Sequence, residues 1–171
     1  MTEELTMIRG IDDPALLRRG FTLYPRGVMA VAARVDGVLT GFAVSAFTSV
    51  SLDPPLGLIC VDKASTTWPS LSRAETLGVS VLAEEHAWLG RQLASRRGDR
   101  FAGAEFDERP GGALWLRGSV ARFDASIDAV HDGGDHLLVV LRVSDMEADP
   151  SVAPLLWHDT SFGAVAPLGN K

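Results

Sequence analysis

The sequence predicts a mainly β protein: an antiparallel barrel, closed or partly split, with three short helices inserted. Three observations carry this reading. Six or seven apolar runs have strand length, and most are joined by hairpin signals. Helical spacing is confined to three short stretches. Strand–helix–strand alternation occurs only in the middle of the chain, too little for a doubly wound parallel sheet.

Each element has a local reason. Asp12 and Asp13 before Pro14 predict a helix start: a capping carboxylate, then proline where its missing N–H does no harm. Leu17, Phe21 and Tyr24 follow at helical spacing, and Pro25-Arg26-Gly27 ends the segment. Residues 28–35 read as a strand, Asp36-Gly37 as a two-residue hairpin turn, and 38–47 as the returning strand. A Ser/Thr-rich bend over 45–51 and the stop Asp53-Pro54-Pro55 lead to a strand over 56–61. A short helix is expected over about 66–73 and a strand over 77–83. Residues 84–97 read as a helix with Trp88, Leu89 and Leu93 inward. Arg96 and Arg97 fall in its last turn, where positive charge complements the dipole. Residues 98–103 and 108–113 are glycine-rich loops. The runs 114–130 and 136–145 pair as a long hairpin about a turn at 131–135, and 154–158 adds a short strand. Residues 1–11 form a loose segment, 12–165 a single domain and 166–171 a tail, with no repeat or linker dividing the chain.

Bulk properties exclude several function classes. At 171 residues the chain is long enough to bury ~70% of its unfolded surface as one domain. A net charge of −6 argues against a general nucleic-acid surface, though not against a local basic pocket for a small anion. There is no apolar run of membrane-spanning length and no signal-peptide core, so no membrane partner and a cytoplasmic location are expected. The single cysteine, Cys60, has no internal disulfide partner and reads as a buried small hydrophobe. One cysteine and four scattered histidines make a zinc site improbable, so no metal is expected. His131 and His136 share a turn, which reads more readily as solvated than as metal-binding.

No G-x-G-x-x-G after a strand, no P-loop and no G-x-S-x-G is present. The strongest physical signal is Lys63 to Thr67, just before a helix start. Free N–H groups, hydroxyls and a lysine there suit a phosphate. Simple N-capping by Ser65 or Thr66 explains the same residues equally well. The hydroxyl-dense bend at 45–51 beside Phe47 suits a polar heteroaromatic ligand, or merely the end of an edge strand.

The blocks GFAVSAFTSVSLDPPLGLICVDKASTTWPSL, VSVLAEEH, GDRFAG and HDGGDHLLVVLRV occur in this order. Through them the chain resembles the flavin reductase-like family, over roughly residues 14–163. The V-S-x-F-T-S-V-S-L-D-P-P block and the later G-D-H are the most specific pieces. The resemblance implies an FMN-binding split β-barrel, Greek-key-like, forming a homodimer with flavin in a groove near the subunit interface. It further implies an NAD(P)H:flavin oxidoreductase that transfers a hydride to FMN or FAD and passes reduced flavin to a separate monooxygenase. A non-catalytic flavin carrier on the same barrel is the alternative.

By position, the resemblance places Val44, Ser45, Ala46, Thr48 and Ser49 along the isoalloxazine and ribityl chain. Asp62, Lys63, Ser65, Thr66 and Thr67 match the segment approaching the ribityl and phosphate. Arg100 and Phe101 would close over the cofactor, and His136 would sit on the nicotinamide side as the one catalytic position. Ala46 stands where family members often carry Ser or Asn, and Ser80 where Asn is common. The stretch WHDTSF lacks an arginine often found after the final strand. The absence of an acid–base pair fits, because hydride transfer between nicotinamide and flavin is chemistry that the cofactors themselves bring.

Overall fold

A computed structural model describes residues 8 and 10–166. The expected loose segment (1–11) and tail (166–171) lie largely outside these residues. The described chain begins with helix α1, Pro14–Thr22, where the Asp13 carboxylate accepts the Ala15 N–H at 2.8 Å as expected of a cap. Strand β1, Arg26–Gly27, follows at once. β2 (Met29–Val35) and β3 (Val38–Val44) then form the anticipated hairpin. Asp36 and Gly37 both take positive φ there, 50° and 79°, the left-handed pair that a two-residue turn requires.

The next junction departs from expectation. Residues 38–47 are not one strand: β3 stops at Val44, and β4 runs from Phe47 to Leu52. Much of the expected bend at 45–51 is therefore strand. β4 turns through Asp53 and Pro54, joined by a cis peptide bond, into β5 (Pro55–Asp62). After the four-residue helix α2 (Trp68–Leu71) come β6 (Leu77–Val81), a single 3-10 turn at Glu84–His86, and α3 (Ala87–Ala94). Six strands follow, with a second 3-10 turn at Pro110–Gly112 between the first two: β7 (Phe106–Glu108), β8 (Leu114–Leu116), β9 (Ala121–Gly133), β10 (His136–Ala148), β11 (Leu155–His158) and β12 (Ser161–Ala164).

Seven strands form one antiparallel sheet in the order β3-β2-β6-β9-β10-β5-β4. Its two edges, β3 and β4, are consecutive in sequence and joined through only Ser45 and Ala46. The sheet must therefore curl until its edges meet, which makes it a split barrel. The Cys60 N–H donates to the Ala46 carbonyl at 3.1 Å and pins the seam to β5.

Strand alternation explains the two cores. On β2, Met29, Val31, Ala33 and Val35 point into the barrel against Ile59, Val61, Val79, Val139 and Leu141. The opposite face, Val28 and Ala30, packs with Leu82, Leu89, Leu93, Leu116 and Leu155 beneath α3 and the small β1-β11-β12 sheet. Burial of a large aliphatic side chain in either cluster contributes about 1.5–3 kcal/mol. β8 crosses β6 so closely that a Cβ at Gly78 would lie 2.1 Å from the Leu114 carbonyl oxygen, so only glycine fits.

Other expectations need correction. The strand expected over 114–130 is broken by Arg117 and Gly118, the latter at φ 74°, into β8 and β9. β7 and β12, three and four residues long, were not anticipated. The helix expected over 84–97 is much shorter, because Ser95 is already extended (φ −70°, ψ 146°). Trp88 is exposed rather than inward, while Leu89 and Leu93 are buried as anticipated. Arg96 and Arg97 lie past the helix end. In the long hairpin the turn narrows to Gly134 and Asp135, and His131 and Asp132 belong to β9. Leu17 is half-buried on α1, whereas Phe21 and Tyr24 stay exposed.

Candidate functional site

The seam of the barrel opens into a cavity of about 390 Å³, within the range that small-molecule sites occupy. Five parts of the fold meet there. The end of β3 and the Ser45–Ala46 crossing form one wall, through Phe42, Ala43, Val44, Ser45 and Ala46. The end of β5 and the turn after it supply Cys60, Val61, Asp62, Ser65, Thr66 and Thr67. The end of α3 and its following loop bring Leu93, Ala94, Arg96 and Arg100, while Arg26 of β1 and His136 of β10 complete the lining.

Cys60 faces this cavity and is half-buried, not a core residue. Period-two alternation on β5 explains the difference: Ile59 and Val61 take the barrel side, and residue 60 must take the other.

The turn at 62–67 is built by its own side chains. The Asp62 carboxylate accepts the Ala64 N–H at 2.7 Å, and the Ser65 hydroxyl accepts the Trp68 N–H at 3.2 Å. The N-cap of α2 is Thr67, not Ser65 or Thr66, and its side chain makes no capping hydrogen bond, although the Ser65 hydroxyl satisfies the first helical N–H. α2 is a single turn, so its dipole adds little to any anion site there. Lys63 does not line the cavity; its Nζ lies 2.5 Å from the Asp132 carboxylate. Thr67 does line it, and its Oγ1 accepts a 2.6 Å hydrogen bond from Arg100 Nη1.

Arg100 is fixed from three directions. Besides Thr67, Nη1 donates to the Gly41 carbonyl at 3.3 Å, and Nε donates to the Ser95 carbonyl at 2.7 Å. Gln92 holds the same loop by donating to the Arg100 and Ala102 carbonyls at 3.0 and 2.8 Å. The neighbouring Phe101 turns away from the cavity and packs edge-on against Phe106 at 5.6 Å, on the second core. Thr48 and Ser49 are exposed on β4, beyond the cavity lining.

His136 opens β10 opposite Asp62, and its Nδ1 lies 2.7 Å from the Asp135 carboxylate. That hydrogen bond, and the electrostatic attraction of His136, hold Asp135 below the ordinary carboxylate value. With Asp135 ionised, Nδ1 is the donor, which leaves Nε2 as the uncommitted ring nitrogen.

Of the residues singled out in the sequence, Val44, Ser45, Ala46, Asp62, Ser65, Thr66, Thr67, Arg100 and His136 are brought together in one cavity. Lys63, Thr48, Ser49 and Phe101 are not. Arg26, Phe42, Leu93 and Arg96 were missed. Arg26 was read as part of a helix stop, and only the pairing of β1 with β11 carries it to the cavity. Its Nε is buried without a hydrogen-bond partner. Among the described residues, no group of three or more His, Cys, Asp or Glu side chains is placed to hold a metal ion, and no helix is long and apolar enough to cross a membrane.

This arrangement can accept a planar ligand with an anionic end. Apolar residues (Phe42, Val44, Cys60, Val61, Leu93), hydroxyl residues (Ser45, Ser65, Thr66, Thr67) and three arginines (Arg26, Arg96, Arg100) line the cavity together. The orphaned donor on Arg26 and the cavity size both fit a flavin nucleotide.

Comparison with known proteins converges on the same chemistry. The model of the "Flavin reductase like domain" matches residues 21–166. The reductase subunit of a flavin-dependent monooxygenase from Rhodococcus jostii is 37% identical over 155 residues, covering 91% of this chain and 80% of that protein. A flavin reductase from Pseudomonas putida is 34% identical over 163 residues, covering 95% and 96%. Among solved structures, the Streptomyces globisporus NADH:FAD oxidoreductase in complex with NAD and FAD fragments superposes with a TM-score of 0.86. It is 31% identical, with 92% of this chain and 96% of that one covered.

Proposed function

This chain belongs to the flavin reductase-like domain family, and from that premise we propose that it is an NAD(P)H:flavin oxidoreductase supplying reduced flavin to a partner monooxygenase. The observation that carries this reading is the seam cavity. It gathers the Val44–Ala46 crossing, the Ser65–Thr67 hydroxyls, Arg100 and His136 around a space of about 390 Å³.

The flavin, when bound, supplies the hydride-accepting chemistry. What the chain contributes is binding and orientation. Ser45 and the backbone of the crossing present polar groups along one wall, while Phe42, Cys60 and Val61 give the apolar surface a ring system needs. Arg100, locked by three hydrogen bonds, orients the Thr67 hydroxyl and carries positive charge to the rim without reorganising. His136, oriented by Asp135, lines the same cavity from β10 and is assigned to the nicotinamide side. No side chain is required to move a proton. The open seam leaves room for exchange of two successive ligands.

The same reading includes a homodimer. Leu16, Phe21, Leu23 and Tyr24, on and just after α1, are exposed apolar side chains that a second copy would cover. The protein mixed anaerobically with NADH and FMN, then with NADH and FAD, should bleach the flavin absorbance at a rate saturating in both ligands. Absence of flavin-dependent NADH oxidation with either flavin, and with NADPH as donor, refutes the assignment. Tight flavin retention without oxidation of either donor selects the carrier reading instead.

A further inference from the structure

Arg26 is the least economical residue of the cavity. Its backbone is held by pairing with Trp157 on β11, and the residue lines the cavity. There Nε is buried and meets no acceptor. A buried donor on a charged group without a partner is costly, and such groups call for a bound species.

Two more guanidinium groups line the same cavity, Arg96 and Arg100. Among the described residues, no ion pair engages any of the three. The chain has a net charge of −6, and Arg34, Arg73, Arg109, Arg117, Arg122 and Arg142 pair with carboxylates, whereas Arg18, Arg19, Arg91 and Arg97, outside the cavity lining, do not among the described residues. The one carboxylate at the cavity, Asp62, already accepts the Ala64 N–H of its own turn. Three cations without an ion pair lining one cavity leave a positive charge that a phosphate or pyrophosphate would offset. Guanidinium forks match those oxygens in geometry.

We propose that Arg26, Arg96 and Arg100 form the phosphate clamp of this site, in place of Lys63, with Arg26 as the member whose charge is committed to the ligand alone. The roles within the clamp differ. Arg100 is preorganised by Thr67, Gly41 and Ser95, so it offers a fixed charge. Arg96 stands past the end of α3 and is exposed, so it adapts to the ligand. Arg26 gains the most on binding, because its Nε has no acceptor among the described residues. The phosphate is either the one on the flavin's ribityl chain or the pyrophosphate of a dinucleotide. The inference rests on the flavin assignment above, and its test separates the two.

The test is equilibrium binding, read by fluorescence quenching, of riboflavin, FMN, FAD and NADH to the intact protein and to Arg26→Gln and Arg26→Lys. A charge-assisted hydrogen bond lost on Arg26→Gln should weaken FMN on the order of 10- to 100-fold. Riboflavin should change by less than about threefold, and Arg26→Lys should fall between. Lys63→Ala, which removes an ammonium paired with Asp132, should shift FMN affinity less than Arg26→Gln does. If FMN is unaffected but NADH weakens tenfold or more, the clamp stands and its phosphate is the nicotinamide dinucleotide's. Equal losses for riboflavin and FMN, no loss for any ligand, or a larger effect from Lys63→Ala would each overturn it. Inorganic pyrophosphate serves as a probe that does not depend on flavin. It should raise the melting temperature of the native protein and not of Arg26→Gln, even should riboflavin fail to bind.

Discussion

The tie between Arg100 and Thr67 is the best place to test how the site is held open and in register. Arg100 makes three hydrogen bonds to neutral acceptors, at 2.6, 2.7 and 3.3 Å, from three separate parts of the chain. Bonds with one charged partner net about 1.5–3 kcal/mol when buried. This guanidinium is only half-buried, and cavity water can re-solvate Thr67 and Gly41, so each bond counts for only about 0.7–1 kcal/mol, the ordinary net value. Arg100→Met, which keeps the apolar stem, should then cost about 2–3 kcal/mol. For a chain of this length, that lowers the melting temperature by roughly 4 to 12 °C. Thr67→Val should cost about 1 kcal/mol, and the two losses overlap because they share one bond. A double-mutant cycle by urea denaturation should therefore show a coupling of about 1 kcal/mol. If the double variant equals the sum of the singles within about 0.3–0.5 kcal/mol, the 2.6 Å bond is not made in solution and the preorganisation argument fails.

Three further outcomes are expected. Ser80→Ala should cost about 1–3 kcal/mol, because the buried Ser80 hydroxyl accepts the Leu116 N–H at 3.0 Å and alanine leaves that donor unmet; denaturant midpoints will show it. His136→Ala should lower kcat/KM for NADH with flavin affinity nearly unchanged, and parallel titrations and steady-state assays separate the two. Burial, opposed by the weaker attraction of Glu85, lowers the imidazole of His86 from its ordinary value of 6.5, while its Nδ1 accepts the Ala83 N–H at 3.1 Å.

For His86 the unfolded chain binds the proton more readily than the folded one. Its contribution is thus complete above about pH 6.5 and is lost as pH falls through the lowered folded value, at no more than about 1.4 kcal/mol per pH unit. Asp135 and Asp149 are held low by His136 and Ser151 respectively, so they act only under more acid conditions. Denaturation of the native protein and His86→Gln at pH 7.5 and 5.5 isolates the imidazole. An unchanged pH slope in the variant counts against this account.

Much of the fold was legible because it is written in local signals. Asp36-Gly37 demands two left-handed residues and so dictates the hairpin. The β2 run MAVAARV is buried on both faces, and its small alanines allow that. Asp13 before Pro14 caps α1 without help from any distant group. The short pieces were harder: β7 and β12 have no pattern of their own and exist because β8 and β11 stand beside them. The expected helix over 84–97 failed for a similar reason, since Arg100 captures the Ser95 carbonyl.

The site divides the same way. Sequence alone pointed to the Ser45–Ala46 crossing, the Ser65–Thr67 turn, Arg100 and His136, because these sit in contiguous motifs whose resemblance to a reductase family is dense. It also named Lys63, a cation at a promising position, and had no means of knowing that Asp132, across the β9–β10 hairpin, engages it. Only the tertiary structure decided which positive charges face the cavity. Arg26 and Arg100 lie 74 residues apart by their numbering, and what brings them together is the pairing of β1 with β11 and the hydrogen bonds that tie the loop after α3 to Gly41 and Thr67. Local chemistry determines the parts that can bind, whereas charge compensation is a property of space, and it settles which of them remain free to do so.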